Sequence, residues 1–543
     1  MNERPSSLSS KELRFQPQTA VRWLSTRVLA GTAGRMILAQ VLNAYLDRRE
    51  VQAISEQGRF DHSLGDEVWL DFIADSGDGF DSTYTIAYLA SQPELDLGGS
   101  LPRGSITVMG GDEVYPAANW RDYENKFKGP FQAALPEGDG ALYAIPGNHD
   151  WFDGLTAFLR VFAAGRDIGG RSTYQKRSYW AARLPHRWWL LGIDAQFDAY
   201  FDQPQLQYFT EALQDMEPGD QVILCVPRPT WTLTKADPRA FDRYDYFIRT
   251  VIEPKGGEVP LILTGDRHHY SHYREVEGGG DRHLVTAGGG GAYMSGTHTL
   301  PSRITAPPPE SMQRHGSEPR TYTRGVCYPD RRQSWRQAMK IFWRMPLRNP
   351  SFLVLLGIIH LFGLVSFLNS TGTAVAAAAV TLGITIAFAY PSAGSRTLKY
   401  WLAAGGHAAV HLGLTTLGAF TYAEFGFSGW ASYVAYVPIS GILASVVVSA
   451  YLVIAGRFGV NDNELFAGQS IDDYKCFLRL RIDGEGVTVH PIGVHRVGRR
   501  WRANPQGTGG DSWIEPETPI KPHFIEKPYT IPGKSQTGIN RTV

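Results

Sequence analysis

Four stretches beyond residue 350, spanning 352–368, 373–390, 401–422 and 433–454, contain no Lys, Arg, Asp or Glu. Each is about as long as the roughly 17–25 residues that a helix needs to cross a hydrocarbon core. Rich in Gly, Ala and Ser, and following one another closely, they leave no polar face for water and predict an all-α, four-helix transmembrane domain over 349–456. Arg336, Lys340, Arg344 and Arg348 precede the first span, Arg396 and Lys399 join the second to the third, and Arg457 follows the fourth. The other two loops carry only Glu424, so both soluble ends are expected in the cytoplasm of a multi-pass integral membrane protein, in the inner or cell membrane if bacterial. The N-terminus shows no short apolar core with a cleavage site, and no signal peptide is read there.

Elsewhere the composition is that of a soluble globular chain. Lys+Arg and Asp+Glu number 53 each, which removes the basic field that nucleic acid would need. Cys225, Cys327 and Cys476 are far apart and odd in number, as expected of reduced thiols. Residues 1–60 read as a helical segment, and 301–348 as a Pro- and Arg-rich linker followed by a basic interfacial helix. In that helix Arg332, Arg336, Lys340 and Arg344 repeat every four residues, while Trp335, Met339 and Phe342 occupy another face. Residues 457–543 read as a small C-terminal β module and tail, on the strength of CFLRLRID and GVTVHPIGVHRV.

Residues 61–300 follow a different pattern. Short apolar runs end in polar, Gly-rich turns: VWLDFIADSGDG, SITVMGGDEVY, ALYAIPGNHD, QVILCVPRP, VPLILTGDRHH and HLVTAGGGG. These predict buried strands with helices between them, an α/β domain whose ligands gather where strand ends meet loops. Asp75, Asp112, Asn148, His149, Asp150, Asp266 and His268 all fall at such ends. Carboxylates, an imidazole and an amide oxygen together can hold cations that neutralise phosphate charge and activate water. A lone Gly-Asp is usually a turn; four such blocks in order point to a metal site.

These blocks resemble the calcineurin-like metallophosphoesterases, an αββα-sandwich superfamily of two-metal phosphatases and phosphodiesterases. Asp75-Ser76-Gly77 and Gly111-Asp112-Glu113-Val114-Tyr115 look like the purple acid phosphatase variant, in which the tyrosine ligates a trivalent iron; Gly147-Asn148-His149-Asp150 matches the family's third block unchanged. The resemblance implies two divalent or trivalent ions (Fe, Mn or Zn), with Asp75, Asp112, Tyr115 and His268 at the first position. Asp112 would bridge to a second position held by Asn148, His149 would act on the phosphate or leaving oxygen, and Asp150 would orient His149. Two blocks depart. The fourth has Pro227-Arg228 where a His is expected, and the fifth has Asp266 in place of its first His. Asp266 could still ligate through oxygen, Arg228 could clamp a phosphate, and Asp78, His269, His272 and His298 are further nearby groups.

The implied activity is hydrolysis of a phosphomonoester or phosphodiester by metal-bound hydroxide, with a lipid phosphate or a nucleotide as substrates suggested by the membrane. The alternative is a catalytically weak metal- or phosphate-binding sensor that signals through its helices, which the second-site departures favour. His360, His407 and His411 lie within predicted spans and read either as polar packing or as a ligand or proton path.

Overall fold

The computed structural model describes residues 4–31, 34, 52, 54–195, 201–311, 315–389 and 398–534. Part of the N-terminal helical segment expected over 1–60, together with Arg396, lies outside the described residues.

Two mixed sheets face each other. The first has the strand order Gly486–Val494, Lys475–Asp483, Val68–Ile73, Ile106–Met109, Gly140–Ala144, Arg171–Thr173, with Pro522–Phe524 and Tyr529–Pro532 both on Gly486–Val494. The second runs Phe60–Asp61, Trp180–Arg183, Trp188–Gly192, Gln221–Val226, Glu258–Thr264, His283–Ala287, Tyr270–Glu277, Thr321–Tyr328, Arg303–Thr305. Leu70, Phe72, Val108 and Leu480 meet Leu190, Ile223, Leu261 and Val285 between the sheets. On the outer face of the first sheet, Met109 and Leu142 pack with Tyr84, Phe131 and Phe158 from helices. On the outer face of the second, Leu191 and Leu224 pack with Phe209 and Phe247. The layers are therefore helix, sheet, sheet, helix. Central strands covered on both faces need apolar side chains throughout, which is why QVILCV is buried at every position rather than alternating.

Two boundaries drawn from the sequence are corrected. The strands read as a separate C-terminal module are interior members of the first sheet: Lys475–Asp483 pairs antiparallel with Val68–Ile73, register Leu480↔Leu70. Arg479 seals the join, donating to both oxygens of Asp71 at 2.7 and 2.9 Å while both side chains are buried. The stretch read as a linker likewise contributes Arg303–Thr305 and Thr321–Tyr328 to the second sheet. The basic segment after it is not one helix but two, Arg331–Ala338 and Ile341–Arg348.

Helices Pro350–Asn369, Thr371–Ala389, Leu398–Glu424 and Trp430–Gly456 follow. Among the described residues three of them are long and apolar enough to cross a membrane; Leu398–Glu424, diluted by glycines and two histidines, is not in that set. The first and last approach at glycines: a Cβ at Gly357 would lie 2.1 Å from Val437 O, and one at Gly441 2.4 Å from Leu353 O. The bundle joins the sandwich through a continuous core in which Met294 and Phe466 pack with Ile341, Met345 and Leu452.

Candidate metal centre

Asp75, Asp112, Asn148 and Asp266 follow the C-terminal ends of Val68–Ile73, Ile106–Met109, Gly140–Ala144 and Glu258–Thr264. The first three strands are mutually parallel, and the fourth faces them from the other sheet, so the loops converge at one end of the sandwich. Asp75, Asp112 and Asp266 all adopt left-handed backbone, with φ of 59°, 57° and 65°. Aspartate tolerates that region better than most residues.

The expected ligands come together. Tyr115 Oη donates to Asp75 Oδ1 at 2.7 Å, lies 3.1 Å from His268 Nε2 and stands 3.5 Å from Asp112 Oδ2. His268 Nδ1 lies 2.8 Å from the Tyr293 carbonyl, which can only accept. That nitrogen therefore carries the proton, and a neutral ring leaves Nε2 bare toward the cluster, the arrangement usual for ligating histidines. The near atom of the Asn148 amide lies 3.2 Å from both Asp112 Oδ2 and Asp266 Oδ1. As nitrogen it would donate to both carboxylates; as oxygen it would complete a three-oxygen group that a cation or a carboxyl proton would have to bridge.

Whether the pocket fits cations can be judged from its own strain. Asp75 Oδ2 is buried with no hydrogen-bond partner. A Cβ at Gly288 or Gly265 would lie 2.3 or 2.7 Å from that oxygen, and one at Gly147 2.2 Å from Asp112 Oδ1, so glycines leave the carboxylates their space. Burial, then repulsion from neighbouring carboxylates, pushes the Asp75 and Asp112 carboxyls well above their ordinary range. Burial and the same two carboxylates push the Tyr115 phenol up, while burial, with Lys475 nearby, pushes His268 well down. An excess of buried acceptors and a bare imidazole nitrogen is a hard, oxygen-rich donor set suited to Fe, Mn or Zn. Among the described residues no three or more His, Cys, Asp or Glu side chains are grouped closely enough to hold a metal ion as they stand.

His149 is half-buried against Trp23, Tyr115 and Phe152, with ring centroids 5.7, 4.4 and 5.0 Å away. Burial lowers its pKa to about 4. Its Nδ1 lies 2.8 Å from the Pro116 carbonyl, so that carbonyl orients the ring and Nε2 is left bare. Asp150 does not orient His149. Its carboxylate turns back through the Asp150–Asp153 turn to accept from Asp112 N at 2.8 Å, Gly147 N at 2.9 Å and Tyr123 Oη at 2.5 Å, which locks the two ligand loops together.

The additional candidates lie apart. Asp78 is buried and accepts from Val21 N at 2.8 Å, Tyr293 N at 3.2 Å and Trp23 Nε1 at 3.4 Å, tying the N-terminal segment over the site. Arg228 is half-buried after its strand, its carbonyl accepting from Tyr244 Oη. His269 and His298 line a separate cavity of about 170 Å³ with Arg267 and Arg457. His272 stacks on His283 and Tyr529 away from the cluster. In the glycine run, the N–H groups of Gly288 and Gly290 bond His269 O and Ala74 O, so the run is a packed turn. Trp23, Pro116, Glu113 and Tyr293 were not anticipated. Glu113, buried beside Asp112 with Oε2 unpartnered, was signalled only by its adjacency.

No family profile matches the sequence, and no characterised protein matches it by sequence. Among solved structures, GAP50, the anchor in the inner membrane complex of Plasmodium, is similar at 12% identity and a TM-score of 0.31, over 42% of this chain and 74% of that one. PhoD is similar at 12% identity and a TM-score of 0.28, over 42% of this chain and 58% of its own length. Similarity at this level assigns neither family nor activity.

Proposed function

We propose that the chain is a membrane-attached, metal-dependent phosphoesterase that hydrolyses a phosphomonoester or phosphodiester, with its sandwich on the cytoplasmic side of four spans. The observation that carries the reading is the convergence of Asp75, Asp112, Tyr115 and His268 with Asn148 and Asp266. Asp112 stands between the two groups and would hold both cations; Asp75, Tyr115 and His268 would hold one, Asn148 and Asp266 the other. When bound, such cations supply Lewis acidity, neutralising phosphate oxygens and activating water. His149 offers a bare Nε2 at the rim, placed to carry a proton to or from the reacting phosphate. Asp150 keeps the loops in register, and Trp23 and Phe152 exclude water around the His149 ring.

The test is hydrolysis of mono- and diester substrates by full-length protein, stripped of metal and then reloaded. Activity should vanish on stripping and return on loading. The sensor reading draws on Pro227-Arg228 standing where a histidine ligand was expected. Asp266→Ala separates the two: on the enzyme reading, metal content falls from two toward one and hydrolysis is suppressed. A wild type that holds one ion, binds phosphate and turns over no ester would establish the sensor.

A further inference from the structure

The helices Arg331–Ala338 and Ile341–Arg348 lead straight into the span that begins at Pro350. Trp343 and Leu347, four apart on the second helix, are 53% and 77% exposed and form an apolar stripe, with Met339, 38% exposed, at the break before it. Lys340 and Arg344 stand on the next stripe and line a cleft of about 910 Å³. Its other wall comes from a different part of the chain: Arg496, Arg499, Arg500 and Lys521, all exposed. Asp473 is the one acid lining the cleft, and it is engaged by Arg499 at 3.2 Å and by Val497 N at 3.3 Å. Arg499 also meets Asp472 at 3.4 Å, and Arg344 donates to Gln337 Oε1 at 2.9 Å. Among the described residues Lys340, Arg496, Arg500 and Lys521 form no ion pair.

We propose that this cleft binds the phosphate head group of an anionic membrane phospholipid. Cations gathered from two distant segments repel one another unless an anion sits among them, and arginine forks match phosphate oxygens. The apolar stripe beside the cleft selects a lipid over a free anion: Trp343 and Leu347 can enter the acyl boundary while Lys340 and Arg344 remain at head-group depth. Near an anionic surface each basic side chain contributes on the order of 1 kcal/mol. This inference is independent of the metal-centre reading and extends the interfacial-helix expectation to Arg496, Arg500 and Lys521, which no helical repeat contains.

The experiment is native mass spectrometry of the full-length protein in mild detergent, titrated with phosphatidylglycerol or phosphatidylcholine. Wild type should retain phosphatidylglycerol in preference to phosphatidylcholine. The variant Lys340→Gln/Arg496→Gln/Arg500→Gln/Lys521→Gln should bind phosphatidylglycerol about 10³-fold more weakly. Arg496→Gln and Arg500→Gln alone, both at exposed sites, should each weaken it by about fivefold and keep the test open if the quadruple variant misfolds. Inorganic phosphate at millimolar concentration should not displace the lipid. Equal binding by wild type and variants, no preference for the anionic lipid, or displacement by inorganic phosphate would overturn the proposal, the last by making the cleft a free-anion site.

Discussion

Arg479→Met should be among the most damaging single changes in the sandwich. The guanidinium makes two charge-assisted bonds to Asp71 and donates to Leu101 O at 2.9 Å and Ala90 O at 3.1 Å, all out of water. Removing it leaves Asp71 buried, with Gly104 N at 3.3 Å as its remaining donor. Breaking a buried pair from one side costs about 3–5 kcal/mol, a large part of the ~5–15 kcal/mol that holds a typical protein folded. Replacing both partners by apolar groups is often neutral, so Arg479→Met/Asp71→Leu should recover most of the loss, and the two single costs should not add. The assay is urea unfolding of the full-length protein in detergent, followed by tryptophan fluorescence, for wild type, both single variants and the double. A single variant within about 1 kcal/mol of wild type, or a double variant no better than the single, would refute the placement of Lys475–Asp483 against the strand that carries Asp75.

On the proposed reading, in which the imidazole acts on the substrate and holds no cation, His149→Ala should lower hydrolysis roughly 10²–10⁴-fold with metal content unchanged; metal analysis beside initial rates checks this. Within the bundle, His411 bonds His360 Nε2 through Nδ1 at 2.9 Å and His407 Nε2 through Nε2 at 3.0 Å. His411→Ala removes the Nε2 partner of both neighbours and should weaken the bundle by about 1–2 kcal/mol, read from unfolding in mixed micelles. Ser370→Cys and Ser428→Cys, in a background lacking Cys327, should react with an impermeant maleimide from outside intact cells. Protection of both would reverse the orientation drawn from the loop charges.

The convergence of the candidate residues was legible because each of their blocks closes an apolar run, and parallel strands bring such ends together wherever they occur. What could not be read is which strands are neighbours. CFLRLRID was recognisable as β, but its partner VWLDFI lies 408 residues away at the Arg479–Asp71 contact, and no local pattern names so distant an edge. Arg303–Thr305 and Thr321–Tyr328 were hidden by the prolines around them, since Pro signals turns more strongly than short edge strands signal themselves. The role of Asp150 as orienter of His149 came from the family resemblance alone, and here its carboxylate is turned by the Asp150–Asp153 turn onto the Asp112 loop. The basic repeat was seen as one helical stripe, whereas the break between the two helices lets Lys340 and Arg344 face arginines from the other end of the chain.

Asp112 is proposed to hold two cation positions together at the meeting of the two sheets. Elemental analysis of full-length wild type and Asp112→Asn, purified in parallel without chelator, tests it most directly, because an amide cannot supply the charge that two cations share. Two metal ions per chain in wild type and close to none in the variant is the predicted result. A metal-free wild type that still hydrolyses phosphoesters, or an Asp112→Asn protein that keeps both ions, would contradict it.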